Sequence, residues 1–247
     1  MGTADADRRT AAGDGSPVNA IRRGSRIAIA VARKDALAEL RGRHATVSTL
    51  FFAGVVLLLF GFALGPDSAR LSAAAPGLLW LAIVFAGILA VGRLHQLETD
   101  DGALEHLAAY PVDRRALYAG KALGGFAVML VLGIVLLVAV AILFAVEVAS
   151  APLPLLVTIV LGAAGVAAVG TFYAGLTVRL RAREVMLPLL MLPILAPLLL
   201  AAVKATAAAL SGDPFGELGA WIALLVAFDI VMIAAGAATY GFLLEDG

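Results

Sequence analysis

The sequence predicts an all-α polytopic membrane protein: six transmembrane helices, an amphipathic N-terminal segment at the interface, and one long polar loop between spans two and three. Three observations predict this class. Of 247 residues, 62% are hydrophobic and 15% charged, whereas soluble domains run at about 45–50% apolar and about 25% charged. The mean hydropathy is +1.00 over the whole chain, which a single span of about 20 residues would not sustain. Continuous apolar runs such as residues 128–146 lack the period-2 alternation of an outer-membrane barrel. The cysteine count is zero, which excludes disulfide frameworks, thiolate metal sites and cysteine nucleophiles.

Residues 1–25 read as a disordered tail rich in Gly, Asp, Ala and Arg, and with no early apolar core a cleaved signal peptide is not expected. Residues 26–247 then form a single six-span membrane domain. Residues 26–43, RIAIAVARKDALAELRGR, mix Ile27, Ile29, Val31, Leu37 and Leu40 with Arg33, Lys34, Asp35, Glu39 and Arg41. That pattern fits an amphipathic helix on the membrane surface, its cations drawn to anionic headgroups. A cytoplasmic extension of the first span is the plainer alternative. The spans, set by length and lack of charge, are about 45–65, 71–92, 120–146, 152–178, 185–208 and 219–243.

Charge sorts by side. Sixteen of the eighteen basic residues fall in the tail and in the two loops after spans two and four, leaving Arg70 and Lys204 for the other side. The positive-inside rule then places both termini in the cytoplasm.

The longest internal cytoplasmic piece is RLHQLETDDGALEHLAAYPVDRRALYAGK, residues 93–121. Leu94, Leu97, Leu104, Leu107 and Ala108 recur at helical spacing, Gly102 permits a bend, and Tyr110-Pro111 ends the run. A short amphipathic helix facing a cytoplasmic partner fits, and so does a solvated loop. His95 and Glu98 stand three apart, but no second carboxylate–histidine pair completes a metal site, so charged surface explains them better.

Within the spans, Pro188, Pro193 and Pro197 in LPLLMLPILAPLLLAAVKA each remove a backbone donor, so span five is expected to be kinked or broken and a candidate moving part; proline is also simply commoner in membrane helices. Asp229 is the one carboxylate well inside a span, expected to face other helices in a structural role rather than a proton relay. Gly162, Ala163, Ala164, Gly165, Ala167, Ala168 and Gly170 would let a neighbouring helix approach span four closely. No Walker-type loop, Gly-x-Ser-x-Gly or His-Glu-x-x-His motif is present, so no enzyme is expected, and any ATP would be hydrolysed by another chain.

The order of these features resembles the permease component of the cytochrome c maturation apparatus, the CcmB-like haem exporter permeases of ABC type. The resemblance covers about residues 26–246 and rests on the amphipathic N-terminal segment, on APGLLWLAIVFAGILAVGRLHQLETDDGALEHLAAYPVDRRALYAGK (75–121), on LPLLMLPILAPLLL (187–200) and on the acidic-ended last span. Its most specific part is the Pro-Gly-x-x-Trp, Asp-Gly-x-Leu-Glu and Pro-x-x-Arg succession in one run. The resemblance implies a non-catalytic, multi-pass subunit of the bacterial inner membrane. Its implied partners are a cytoplasmic ABC ATPase, a haem-handling membrane protein and that protein's small companion, with ATP hydrolysis driving release of a haem-loaded chaperone. It implies that residues 98–110 are a coupling helix docking on the ATPase, with Glu98, Asp101, Gly102, Leu104, Glu105 and Leu107 as contact and bend positions. Trp80, Pro188, Pro193, Pro197 and Asp229 would then belong to the membrane core.

Haem iron itself is not expected on this chain. His44, His95 and His106 fall on the cytoplasmic side, there is no cysteine, and Met186, Met191 and Met232 sit isolated in apolar spans where packing suffices to explain them. Haem and ATP are thus expected on partner subunits, with the lipid bilayer as surroundings and no nucleic acid. Two other readings share the six spans: an ABC-2-type exporter subunit for a lipid or other amphiphile, and a non-transporting membrane scaffold.

Overall fold

A computed structural model of the chain describes residues 24–26, 28–34, 43–100, 114–177 and 183–243. Six long helices follow one another among these residues: α1 (Arg43–Leu64), α2 (Ser68–Asp100), α3 (Arg114–Leu143), α4 (Pro152–Thr177), α5 (Arg183–Leu210) and α6 (Leu218–Leu243). A 3-10 turn, Val148–Ser150, joins α3 to α4, and the described residues contain no strand. Each helix holds an apolar stretch of 18 to 28 residues, long enough to cross a bilayer, so the chain is a multi-pass membrane protein.

The helices overrun the apolar stretches that define them. In α2 the apolar stretch ends at Ala90, yet the helix continues to Asp100. Residues 91–100 contain no proline and include Leu94, Gln96, Leu97 and Glu98, all good helix formers, so a lone Gly92 does not stop the run. Span two and the start of the polar loop are therefore one helix. Similarly, α3 begins at Arg114 rather than near residue 120, which brings Tyr118 into the bundle.

Short turns close one end of the bundle, and carboxylates cap the helices that leave them. Asp67 Oδ1 accepts hydrogen bonds from the backbone N–H groups of Ala69 (3.0 Å) and Arg70 (3.4 Å) at the start of α2. Asp213 Oδ1 accepts from those of Glu217 (2.8 Å) and Leu218 (3.1 Å) at the start of α6. The turn before α6 reverses through Gly212 (φ 75°) and Gly216 (φ 67°), where glycine avoids the clash of a Cβ, and through Asp213 (φ 52°), a residue type that visits this region as a single position. Pro152 opens α4, where its missing N–H costs nothing.

The bundle is organised around α4, which packs against α2, α3, α5 and α6, whereas α1 packs chiefly on α2 and α3. Lipid is as apolar as leucine, so helices in a membrane associate through close packing and hydrogen bonds rather than by escaping water. The buried face of α5 is Met191, Leu195, Leu198, Ala202 and Ala205, all 0% exposed. Pro193 and Pro197 lie two residues after Met191 and Leu195, on the opposite side of the helix, and are exposed. Both prolines lie within the apolar stretch Leu189–Leu210, but helical phase turns them away from the face that packs on the other helices. Nor is α5 broken, since it runs as one helix from Arg183 to Leu210.

Residues 28–34 are helical and rest on the first turns of α3. Ala28 is 7% exposed. A Cβ added to Gly120 would stand 2.8 Å from the Ala28 carbonyl oxygen and 2.8 Å from Val31 Cβ, so the two backbones approach as closely as glycine allows. The described part of the N-terminal segment is therefore docked on the bundle through one side, with Ile29 on its outer side 63% exposed.

Candidate functional site

Three large or polar side chains from three different helices are seated on small residues of α4, forming a seam through the bundle. Nearest the short turns, Trp80 of α2 is fully buried over Gly162, whose added Cβ would overlap the indole ring. The indole N–H donates to Thr206 Oγ1 of α5 at 2.8 Å, and that hydroxyl donates to the Ala202 carbonyl at 2.8 Å. A buried indole needs such an acceptor. One chain of bonds thus ties α2 to α5 across α4.

At mid-span, Asp229 of α6 is 6% exposed and faces Gly165, where an added Cβ would lie 2.6 Å from Asp229 Oδ1 and would overlap Leu198 of α5. Asp229 Oδ1 is buried without a hydrogen-bond partner among the described residues. Further along, Tyr118 of α3 is 1% exposed and packs on Gly236 of α6. Its hydroxyl is shared between the Ala168 carbonyl (3.3 Å) and the Met232 carbonyl (3.5 Å). Gly162, Gly165 and Ala168 recur every three residues on one face of α4. They give this helix a register with four neighbours at once.

Beside this seam, Tyr118, Phe126, Ala164 and Ile233 help to line an open apolar groove of about 400 Å³ between α3, α4 and α6. Among the described residues no cluster of three His, Asp or Glu side chains could hold a metal ion. Met129 and Met191 are 0% exposed and Met232 9% exposed, all within the packed core.

The sequence-predicted residues divide sharply. Trp80 and Asp229 are brought onto α4; Pro193 and Pro197 are not, and Pro188 lies on the same α5 helix. Glu98 belongs to the last turn of α2. Asp101, Gly102, Leu104, Glu105 and Leu107 lie outside the described residues. Sequence reasoning misses Tyr118, Thr206 and the docking of residues 28–34 on Gly120. A signal for Tyr118 exists, an aromatic hydroxyl immediately before the apolar run that begins near residue 120, while Thr206 carries no mark that separates it from any other threonine in lipid.

The family model for "CcmB protein" matches residues 26–242. The protein named "Heme exporter protein B" of Bradyrhizobium diazoefficiens is 32% identical over 212 residues, covering 84% of this chain and 92% of that one. Proteins of the same name from Pseudomonas aeruginosa (30% identical; 76% of this chain, 85% of that one) and Rhodobacter capsulatus (38% identical; 61% and 69%) are also similar. With the family model matching nearly the whole membrane domain and the six spans in place, the chain belongs to the CcmB family.

Proposed function

We propose that this chain is the permease-like, non-catalytic membrane subunit of a haem-export complex serving cytochrome c maturation in the bacterial inner membrane. The observation that carries this reading is the family match across residues 26–242, the whole bundle from the docked N-terminal segment to the end of α6. The names of its relatives supply the cargo, haem. In this reading a separate ATPase docks on residues 98–110, and a haem-handling membrane protein with its small companion completes the membrane part. Hydrolysis there drives release of the haem-loaded chaperone. Both termini lie in the cytoplasm, on the side marked by sixteen of the eighteen basic residues.

The physical fit is mechanical. A helix that runs unbroken from the bundle interior to Asp100 carries displacement of its far end to Trp80, and through Thr206 to α5. Haem ligation is assigned to partner subunits, because imidazole and thiolate, the strong ligands of haem iron, have no place among the residues that form the buried seam. Glu105→Arg, placed on the coupling segment, is expected to leave membrane insertion intact while reducing ATPase co-purification and covalent haem in c-type cytochromes at least tenfold. Normal ATPase association together with normal cytochromes would overturn the assignment.

A further inference from the structure

Three cations fall within the apolar spans. Arg70 pairs with Asp67 at the start of α2, Nε to Oδ2 3.2 Å. Lys121 is buried and engaged. Lys204 of α5 is exposed and makes no hydrogen bond or ion pair among the described residues. It is the one charged residue of the stretch Leu189–Leu210, six residues before the helix ends, a depth of about 9 Å at 1.5 Å per residue. A lysine near a helix end ordinarily snorkels to the nearer surface. Here the direction is wrong, because each Cα–Cβ bond leans toward the helix N-terminus, and from Lys204 that way leads to the middle of the span.

The same face carries more polarity. Pro193, Pro197, Leu200 and Lys204 are all exposed and lie within about 60° of one another at 100° per residue. Neither proline has an N–H, so the carbonyls of Leu189 and Pro193, four residues earlier, lack their regular helical donor. Lipid tails can satisfy neither a carbonyl nor an ammonium. The opposite face of α5 is the one packed against this chain's own helices, so nothing among the described residues covers this strip.

We propose that this face of α5 is covered, in the assembled membrane complex, by a transmembrane helix of a different polypeptide that places a carboxylate against Lys204. Charge selects the occupant. A second copy meeting this face in the same orientation would set Lys204 against Lys204. This chain's described carboxylates are committed or distant: Asp229 is buried against Gly165, Asp67, Glu147, Asp213 and Glu217 lie in the turns between the helices, and Glu98, Asp100 and Glu184 lie at the end of α2 and the start of α5, at the other end of the bundle from Lys204. The proposal rests on the functional reading above only in requiring a membrane partner.

The test uses the full chain in its native membranes, with a photo-crosslinking residue in place of Leu200 and, for comparison, of Phe62 on α1, which is 81% exposed. The Leu200 probe is expected to give one adduct with a different membrane protein, its crosslinked peptide a transmembrane segment containing Asp or Glu. Lys204→Met, which keeps side-chain length, and Lys204→Glu are expected to lower the adduct at least tenfold, Lys204→Arg to retain it, and reversal of the partner's acid to lysine to restore it with Lys204→Glu. Lipid adducts alone, as at Phe62, would overturn the proposal. So would an adduct with a second copy, a partner peptide without a membrane acid, or a yield unchanged by Lys204→Met. The amount of chain in the membrane separates loss of contact from loss of folding. ATPase co-purification with the unsubstituted chain is scored separately, and its failure would count against the functional reading whatever α5 contacts.

Discussion

Gly162 decides how closely α2 can approach α4. The plane of Trp80 occupies the space where a side chain at position 162 would begin, and an indole bonded to Thr206 at 2.8 Å is not free to swing aside. A single methyl must therefore push the helices apart, which forfeits dispersion contacts along their whole interface. Gly162→Ala is expected to destabilise the bundle by about 1–3 kcal/mol, the usual cost of overpacking. Gly54→Ala on α1 is the matched control, because a Cβ there meets nothing within 4 Å and the change removes glycine's excess backbone freedom, a gain of about 0.5–1 kcal/mol. Denaturant titration of the three proteins in micelles checks this; an equal gain in both variants would show that helix propensity, not the indole, sets the outcome. Asp229 belongs to the same scale. Gly165 makes room for its carboxyl as Gly162 does for the indole, but Oδ1 finds no donor there among the described residues.

At the scale of elements, the legible and the illegible separate by a physical cause. Six spans can be read because length and absence of charge are one-dimensional properties of the chain. Which side of each span faces inward cannot, because both lipid and protein interior are apolar and a helix such as α4 or α6 shows no polar stripe to mark its outer face. Hence depth groups the prolines of α5 with Trp80, although phase puts Pro193 and Pro197 outside. The small residues of span four are legible as a contact face, but not what they contact. The N-terminal segment shows the same limit: its apolar positions fit a lipid surface equally well, and only the closeness of Gly120 to Ala28 and Val31, where an added Cβ would stand 2.8 Å from each, reveals a protein surface. Gly120→Leu is expected to expel this segment without unfolding the helices behind it. Trypsin cleavage at Arg33 or Lys34 should then accelerate at least tenfold while the bundle resists; an unchanged cleavage rate would show that the segment is held by something other than this contact.

For the molecule as a whole, the distribution of charge carries the orientation. The three short turns, at residues 65–67, 144–151 and 211–217, lie at one end of an alternating bundle, and they contain no Lys or Arg. The opposite end is where α2 and α4 finish and α3 and α5 begin, and sixteen of the eighteen basic residues belong in sequence to that side. Because translocation of short loops is opposed by Lys and Arg while Asp and Glu count for little, the five acidic residues Glu98, Asp100, Asp101, Glu105 and Asp113 do not cancel that bias. The end carrying residues 98–110 is thus expected in the cytoplasm, where an ATPase could reach the segment proposed to dock it. Alkaline phosphatase, active only outside the cytoplasm, is expected to be active when fused after Asp67, Glu147 or Asp213, and inactive after Asp101, Arg181 or Gly247. Activity in the second set would invert the bundle. It would also remove residues 98–110 from the compartment that holds ATP, so the same fusions decide whether the mechanical role proposed for α2 is available to this protein.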